Sequence, residues 1–230
     1  MIDRATASVL AGVGGGLQHL GRLPFAAKVL TVAVRVAGHD DQASTTRLAI
    51  LNRLGVVLKT DGRLDEAAAC YAEVLGELRA MPEAPAAFLA VVHHNLAGLA
   101  YAREELDLAR ALIDEALLWR DRAGAPLEDV AADRGVLGAV LAAQHRDGEA
   151  RAVLHEVLAT MEGLHGVDHY EVAVVLHNLA ALERRHDPVE AERLYERALA
   201  IKRRRLGPRH REVAVLASNL AALQRETRPG

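Results

Sequence analysis

The side chains here that could do chemistry are eleven histidines, a single cysteine, a cluster of glycines, a basic run, and a spaced set of asparagines and arginines. Histidines suggest metal binding first. His165 and His169 stand four apart, His93, His94 and His177 fall in equivalent stretches, and His155-Glu156 opens an H-E-x-x-H pattern. That pattern fails because Ala159 occupies the place of the second histidine. Gly166, between His165 and His169, works against the helical geometry that a pair four apart needs, so no metal site is expected. Cys70 alone excludes an internal disulfide and a cysteine cluster, and it sits where a small apolar core residue is wanted. Gly12, Gly14, Gly15 and Gly16 form no phosphate loop: Leu17 stands where G-x-G-x-x-G needs its third glycine, and no Gly-Lys-Ser/Thr follows. No Ser-His-Asp arrangement or paired-carboxylate site occurs at meaningful spacing. The chain is therefore read as non-enzymatic, with no catalytic residue and no cofactor.

The basic run Lys202 to Arg205, followed by Arg209 and Arg211, raises nucleic acid as a partner. It lies at a helix end, where cations suit the helix dipole, and the aromatic residues that would stack on bases are missing. No nucleic-acid partner is expected. The net charge of -3 names no partner either. Arginine far outnumbers lysine, only Lys28, Lys59 and Lys202 being present, which points to a GC-rich bacterial genome. No apolar segment approaches the roughly 20 residues that span a bilayer. Asp3 and the Gly14-Gly15-Gly16 interruption argue against a signal peptide. A cytoplasmic protein without a membrane partner is the expectation.

The elements that must position these residues announce themselves by repetition. The segment from His165 to Gly207 reads as helix, turn, helix, turn and closes on its own beginning. Gly166-Val167-Asp168-His169 returns as Gly207-Pro208-Arg209-His210, and Asn178-Leu179-Ala180 returns as Asn219-Leu220-Ala221, both 41 residues on. Such a period without strand signals means stacked helical hairpins, each burying its apolar face only against a neighbour. The composition, 51% hydrophobic but 3% aromatic, supplies a core of Ala, Leu and Val suited to close helix packing.

Two registers run through the chain. Second helices share Ala, a large residue four later and Leu or Val eight later, as in Ala26/Leu30/Val34, Ala67/Tyr71/Leu75, Ala109/Ile113/Leu117, Ala150/Leu154/Leu158 and Ala191/Tyr195/Leu199. First helices share an aliphatic residue followed by a small one: Val13-Gly14, Leu54-Gly55, Leu96-Ala97, Leu137-Gly138, Leu179-Ala180 and Leu220-Ala221. The small residue marks the closest approach within a hairpin. These registers predict an all-α, right-handed superhelical α-solenoid in one domain over residues 1–230. Its hairpins are placed at about 5–37, 43–80, 86–123, 128–163 and 169–206, with a terminal helix at about 211–226. Breakers such as Asp61-Gly62, Asp147-Gly148 and Asp187-Pro188 mark the turns within hairpins, and Asp129 and Asp168 are candidate N-terminal caps.

The pattern resembles tetratricopeptide repeats, and the roughly 42-residue period, with G-x-x-H before the first helix and N-L-A-x-L within it, is similar to the longer repeats of kinesin light chains. Tyr170 and Arg211 stand where that family usually has Pro, and the Asp187-Pro188 turn is one residue short. The resemblance implies that first helices line a concave groove, where an asparagine just before the Leu-small pair holds the backbone of an extended peptide. The matching residues are Asn95, Asn178 and Asn219, with Asn52 displaced by one so that Arg53 takes its place. An amide that both donates and accepts can grip a backbone without reading its side chains, each bond contributing about 0.5 to 1.5 kcal/mol. The alternative is that these asparagines bond between neighbouring first helices and fix their orientation. Further positions on the face are His94 and His177, then Lys59, Tyr101, Arg184 and Arg225, and the arginines would favour an acidic peptide or a free carboxylate. The function expected is a scaffold or adaptor binding an extended peptide or partner helix. Alternatives are a ligand-responsive regulatory sensor and an auxiliary or catalytic protein of a biosynthetic pathway that uses the groove for substrate. Self-association through the terminal helix, giving a homodimer, is a further expectation.

Overall fold

A computed structural model describes residues 4–38 and 44–227, all helix and turn among those residues. The helices are α1 (Arg4–His19), α2 (Leu23–Ala37), α3 (Ser44–Thr60), α4 (Leu64–Ala80), α5 (Ala86–Ala102), α6 (Leu106–Ala123), α7 (Leu127–Ala143), α8 (Asp147–His165), α9 (Tyr170–Glu183), α10 (Pro188–Leu206) and α11 (Arg211–Thr227). Helix ends fall within about two residues of the sequence expectation, the accuracy that assignment itself allows. The expected start at residue 43 lies outside the described residues.

The helices begin and end where the local chemistry dictates. Pro24 and Pro188 sit in the first turns of α2 and α10, where a missing N–H costs nothing, and Asp187 caps α10 by accepting from Glu190 N at 3.1 Å. The two caps expected from the sequence are corrected. His169, not Asp168, caps α9, its Nδ1 accepting from Glu171 N at 3.3 Å, while Asp168 turns outward to Arg204 at 2.6 Å. Asp129 lies inside the first turn of α7 and meets Arg120 at 2.9 Å. In four hairpins the turn between helices requires a left-handed residue at the same register, Gly21, Gly62, Glu104 and His145. Glu104 and His145 hold that conformation without being glycine, at φ 62° and 60°.

Contacts divide the chain into two compact units, Met1–Trp119 and Arg120–Gly230. In the first, α1/α2 and α3/α4 form hairpins around a core that includes Leu30, Leu48, Tyr71 and Leu78, with Trp119 packed against it. In the second, α7/α8 and α9/α10 pair and α11 packs on α10, around Leu154, Met161, Leu176, Leu179 and Tyr195. The small residue of the Leu-small pair is where each hairpin closes. A β-carbon on Gly55 would lie 2.5 Å from Tyr71 Cε1, one on Gly138 2.6 Å from Leu154 Cγ, and one on Gly14 2.6 Å from Leu30 Cγ. Helix α1 thus runs unbroken through its glycines, and at least one of them is there for packing.

Candidate functional site

Side chains on the first helices of the hairpins fall into two sets, one on α3 and α5 in the first unit and one on α9 and α11 in the second. On α3 and α5, Asn52 and Asn95 are 9% and 8% exposed, and Asn95 Nδ2 donates to Asn52 Oδ1 at 3.0 Å. Beside them His93 Nδ1 bonds to the Leu89 carbonyl at 2.7 Å, His94 is half-buried, and Tyr101 is exposed. Arg53 is exposed and lies across α1, its guanidinium where a β-carbon on Gly15 would be. Lys59 reaches to α5 and is half-buried, with Nζ 2.6 Å from the position a β-carbon on Gly98 would take. Neither cation has an acidic partner among the described residues, and burial pushes the Lys59 ammonium below its ordinary value. Between α1 and α3 an open cavity of about 450 Å³ is lined by Ser8, Ala11, Gly12, Thr45, Ala49 and Arg53, among others.

In the second unit His177 Nε2 and Asn219 Nδ2 are 3.1 Å apart, an arrangement that requires a neutral ring protonated on Nδ1. Burial, assisted by the nearby Lys202 charge, holds His177 below the ordinary histidine value. Lys202, 5% exposed, donates to Glu212 Oε2 at 2.8 Å, and Tyr170 Oη donates to the same oxygen at 2.7 Å. Burial alone would raise Glu212, but these two bonds outweigh it and leave the carboxyl below its usual value. Arg184 is held by both oxygens of Glu226 on α11, and Arg225 is exposed beside it.

One offset rule orders the asparagines. Asn95, one residue before Leu96, bonds back to Asn52, two before Leu54, and Asn219, one before Leu220, bonds back to His177, two before Leu179. Applied to Asn178, one before Leu179, the rule points to Gly135, two before Leu137, and glycine has no side chain to answer. Asn178 is half-buried and finds no hydrogen-bond partner among the described residues. Asn95 and Asn219 thus tie neighbouring first helices together, the alternative role weighed from the sequence, and Asn178 has no such bond among the described residues.

The sequence reading did not identify three charged centres. Arg47, 4% exposed, is paired with Glu73 and Glu77 of α4. Arg120 Nε bonds the wholly buried Asp133 at 2.9 Å. Lys202, Glu212 and Tyr170 join α9, α10 and α11. Asp133 was visible as an anomaly, since its register position holds Ile50, Val92, Val175 and Leu216 in other first helices.

The state of His177 makes a pH prediction. Because its folded value lies below the unfolded one of about 6.5, the unfolded chain takes up the proton first as pH falls, and stability drops below that point. Chemical denaturation at pH 7.5 and 5.5 should show a larger loss for the wild type than for His177→Gln, whose amide oxygen still accepts from Asn219. Equal losses would mean that this ring does not titrate as argued.

Among the comparisons with known proteins, a tetratricopeptide repeat profile matches residues 128–204, and another matches residues 47–76. BtubC (BKLC) from P. vanneervenii is 23% identical, over 91% of this chain and 83% of that one, with a TM-score of 0.63. The nearly identical TPR-like repeats of a candidate kinesin light chain from Podosopora anserina are 18% identical over 89% of this chain and 99% of that one, with a TM-score of 0.59. PilF of Pseudomonas aeruginosa is 19% identical over 99% and 94%, with a TM-score of 0.55. At these identities the likeness is one of fold. A search of curated proteins gives no match.

Proposed function

Because this chain is a tetratricopeptide-repeat protein, an all-α stack of a kind that generally mediates protein–protein interaction, we propose that it is a non-enzymatic adaptor gripping an extended segment of a partner along its first helices. The observation that carries this reading is Asn178. A half-buried amide with no partner among the described residues keeps a donor and an acceptor available, and a peptide backbone offers the complementary pair. His177 and Asn219 beside it are already bonded to each other and hold the surroundings of that amide in place. Helix α9 is otherwise well packed, with Val175, Leu176 and Leu179 nearly or wholly buried, so the amide is presented by a rigid support.

The roles of the asparagines separate on substitution. Asn178→Ala should leave the melting temperature unchanged and weaken binding of an extended peptide ligand by about 3- to 10-fold, the worth of one or two amide hydrogen bonds. Asn95→Ala should instead cost about 1 to 3 kcal/mol of stability, because it strips the buried Asn52 oxygen of its donor. The check is peptide-library selection on the wild type, followed by calorimetric titration of both variants with a selected peptide. Full affinity in the Asn178→Ala protein would sink the backbone-gripping role assigned here.

A further inference from the structure

The first unit differs from the second in the charge of its first helices. Helices α1, α3 and α5 contain no aspartate or glutamate. On α3, Arg47 is spent within its own hairpin on Glu73 and Glu77, which leaves Arg53 and Lys59 of that helix. Each lies over a glycine of a neighbouring first helix, Arg53 over Gly15 and Lys59 over Gly98, and neither has an acid within reach among the described residues. A half-buried ammonium without a counter-charge is held at a cost, as its lowered proton affinity records, and an arriving carboxylate would remove that cost. Arg53 also stands at the edge of the cavity between α1 and α3, among the hydroxyls of Ser8 and Thr45. The second unit offers no such pair. There α7, α9 and α11 carry acids of their own, and Arg184, an expected reader of acidic ligands, is already satisfied by Glu226.

We propose that the first-helix face of the first unit selects an acidic extended segment of the partner, one carboxylate entering the cavity between α1 and α3 to meet Arg53 and another meeting Lys59 between α3 and α5. This rests on the adaptor reading above and adds to it the charge of the ligand and the residues that read it. Glycine leaves room for the cation at both crossings: a side chain at position 15 or 98 would displace the Arg53 guanidinium or the Lys59 ammonium from its place. The two cations stand six residues apart on α3, about 9 Å along its axis, so a single carboxylate does not serve both. A segment carrying several acids does.

The test uses a fluorescent decapeptide of alternating alanine and glutamate, and its counterpart with glutamine for glutamate, on the full chain in low salt. The wild type should prefer the acidic peptide, and the Arg53→Gln/Lys59→Gln double variant should lose that preference by about tenfold or more, one charge-assisted bond being enough for such a change. Arg184→Gln should leave the preference intact. A second readout is the ionisation of Lys59 followed by NMR, which should move upward when the acidic peptide is bound. An unchanged preference in the double variant, or its loss in Arg184→Gln instead, overturns the proposal. Equal binding of both peptides removes the charge selection and leaves the adaptor reading standing. If neither peptide binds, the charge selection falls, and the backbone grip is judged separately by the library selection and Asn178→Ala.

Discussion

Asp133→Ala is expected to destabilise the second unit by about 3 to 5 kcal/mol, the usual result of removing one partner from a buried ion pair. Asp133 is fully buried and Arg120 is 7% exposed, so the guanidinium left behind could recover little water. The half-buried Asp129 would still pair with Arg120 Nη1, but it does not hold the Nε that Asp133 holds. The register explains why the site tolerates apolar substitution better than truncation. Every other first helix places an aliphatic residue at this position, so Asp133→Leu combined with Arg120→Met should recover most of the lost stability. Denaturation followed by far-ultraviolet circular dichroism on the two single variants and the pair measures the coupling. A loss below about 1 kcal/mol for Asp133→Ala would show that water reaches the pair.

Gly55→Val should cost the first unit about 2 kcal/mol or more. Replacing a helix-interior glycine ordinarily gains up to about 1 kcal/mol in propensity, which opposes the effect. Overpacking costs about 1 to 3 kcal/mol, more with bulk, and here it wins because the obstacle cannot yield. The Tyr71 ring is wholly buried and its edge lies 2.5 to 2.8 Å from the new β-carbon, so relief requires the two helices of the hairpin to separate. Gly16→Ala is the counter-case on α1. Nothing lies within 4 Å of its added methyl, so only the propensity gain of about 1 kcal/mol remains. The single tryptophan, Trp119, packs on the first unit's core, and its fluorescence follows both variants. Opposite shifts in midpoint are expected, and a stabilised Gly55→Val protein would refute the close-approach account.

The hairpin boundaries were legible in the sequence because packing imposes the same residue sizes every 41 or 42 residues. The Leu-small pair, the Ala four before a large residue, and Pro188 after Asp187 each record a local requirement. Pairings between repeats were not legible, since they depend on which side chains meet across helices some 43 residues apart. Asn52 stands one position off the asparagine register, with Arg53 in its place. That displacement is what lets it face Asn95. His169 caps α9, and Asp168 was misjudged because residue type alone does not say that Arg204 competes for it.

The unanswered position at Gly135 has a thermodynamic consequence for the second unit. A stack of hairpins behaves as a row of elements whose stability is the sum of each one's own folding and its coupling to the next. The bond between Asn219 and His177 adds to the coupling of α9 with α11, and the Asn52–Asn95 bond does the same for α3 with α5. Between α7 and α9 no amide bond of this kind occurs among the described residues, and the α7/α8 hairpin is joined to its successor by ion pairs, Arg151 with Glu183 and Asp147 with Arg185 and His186. Salt screens such partly exposed pairs, so coupling across this joint should weaken as ionic strength rises. A ligand backbone that satisfied Asn178 would sit at that joint, and occupancy would then be felt as added cooperativity between the two hairpins.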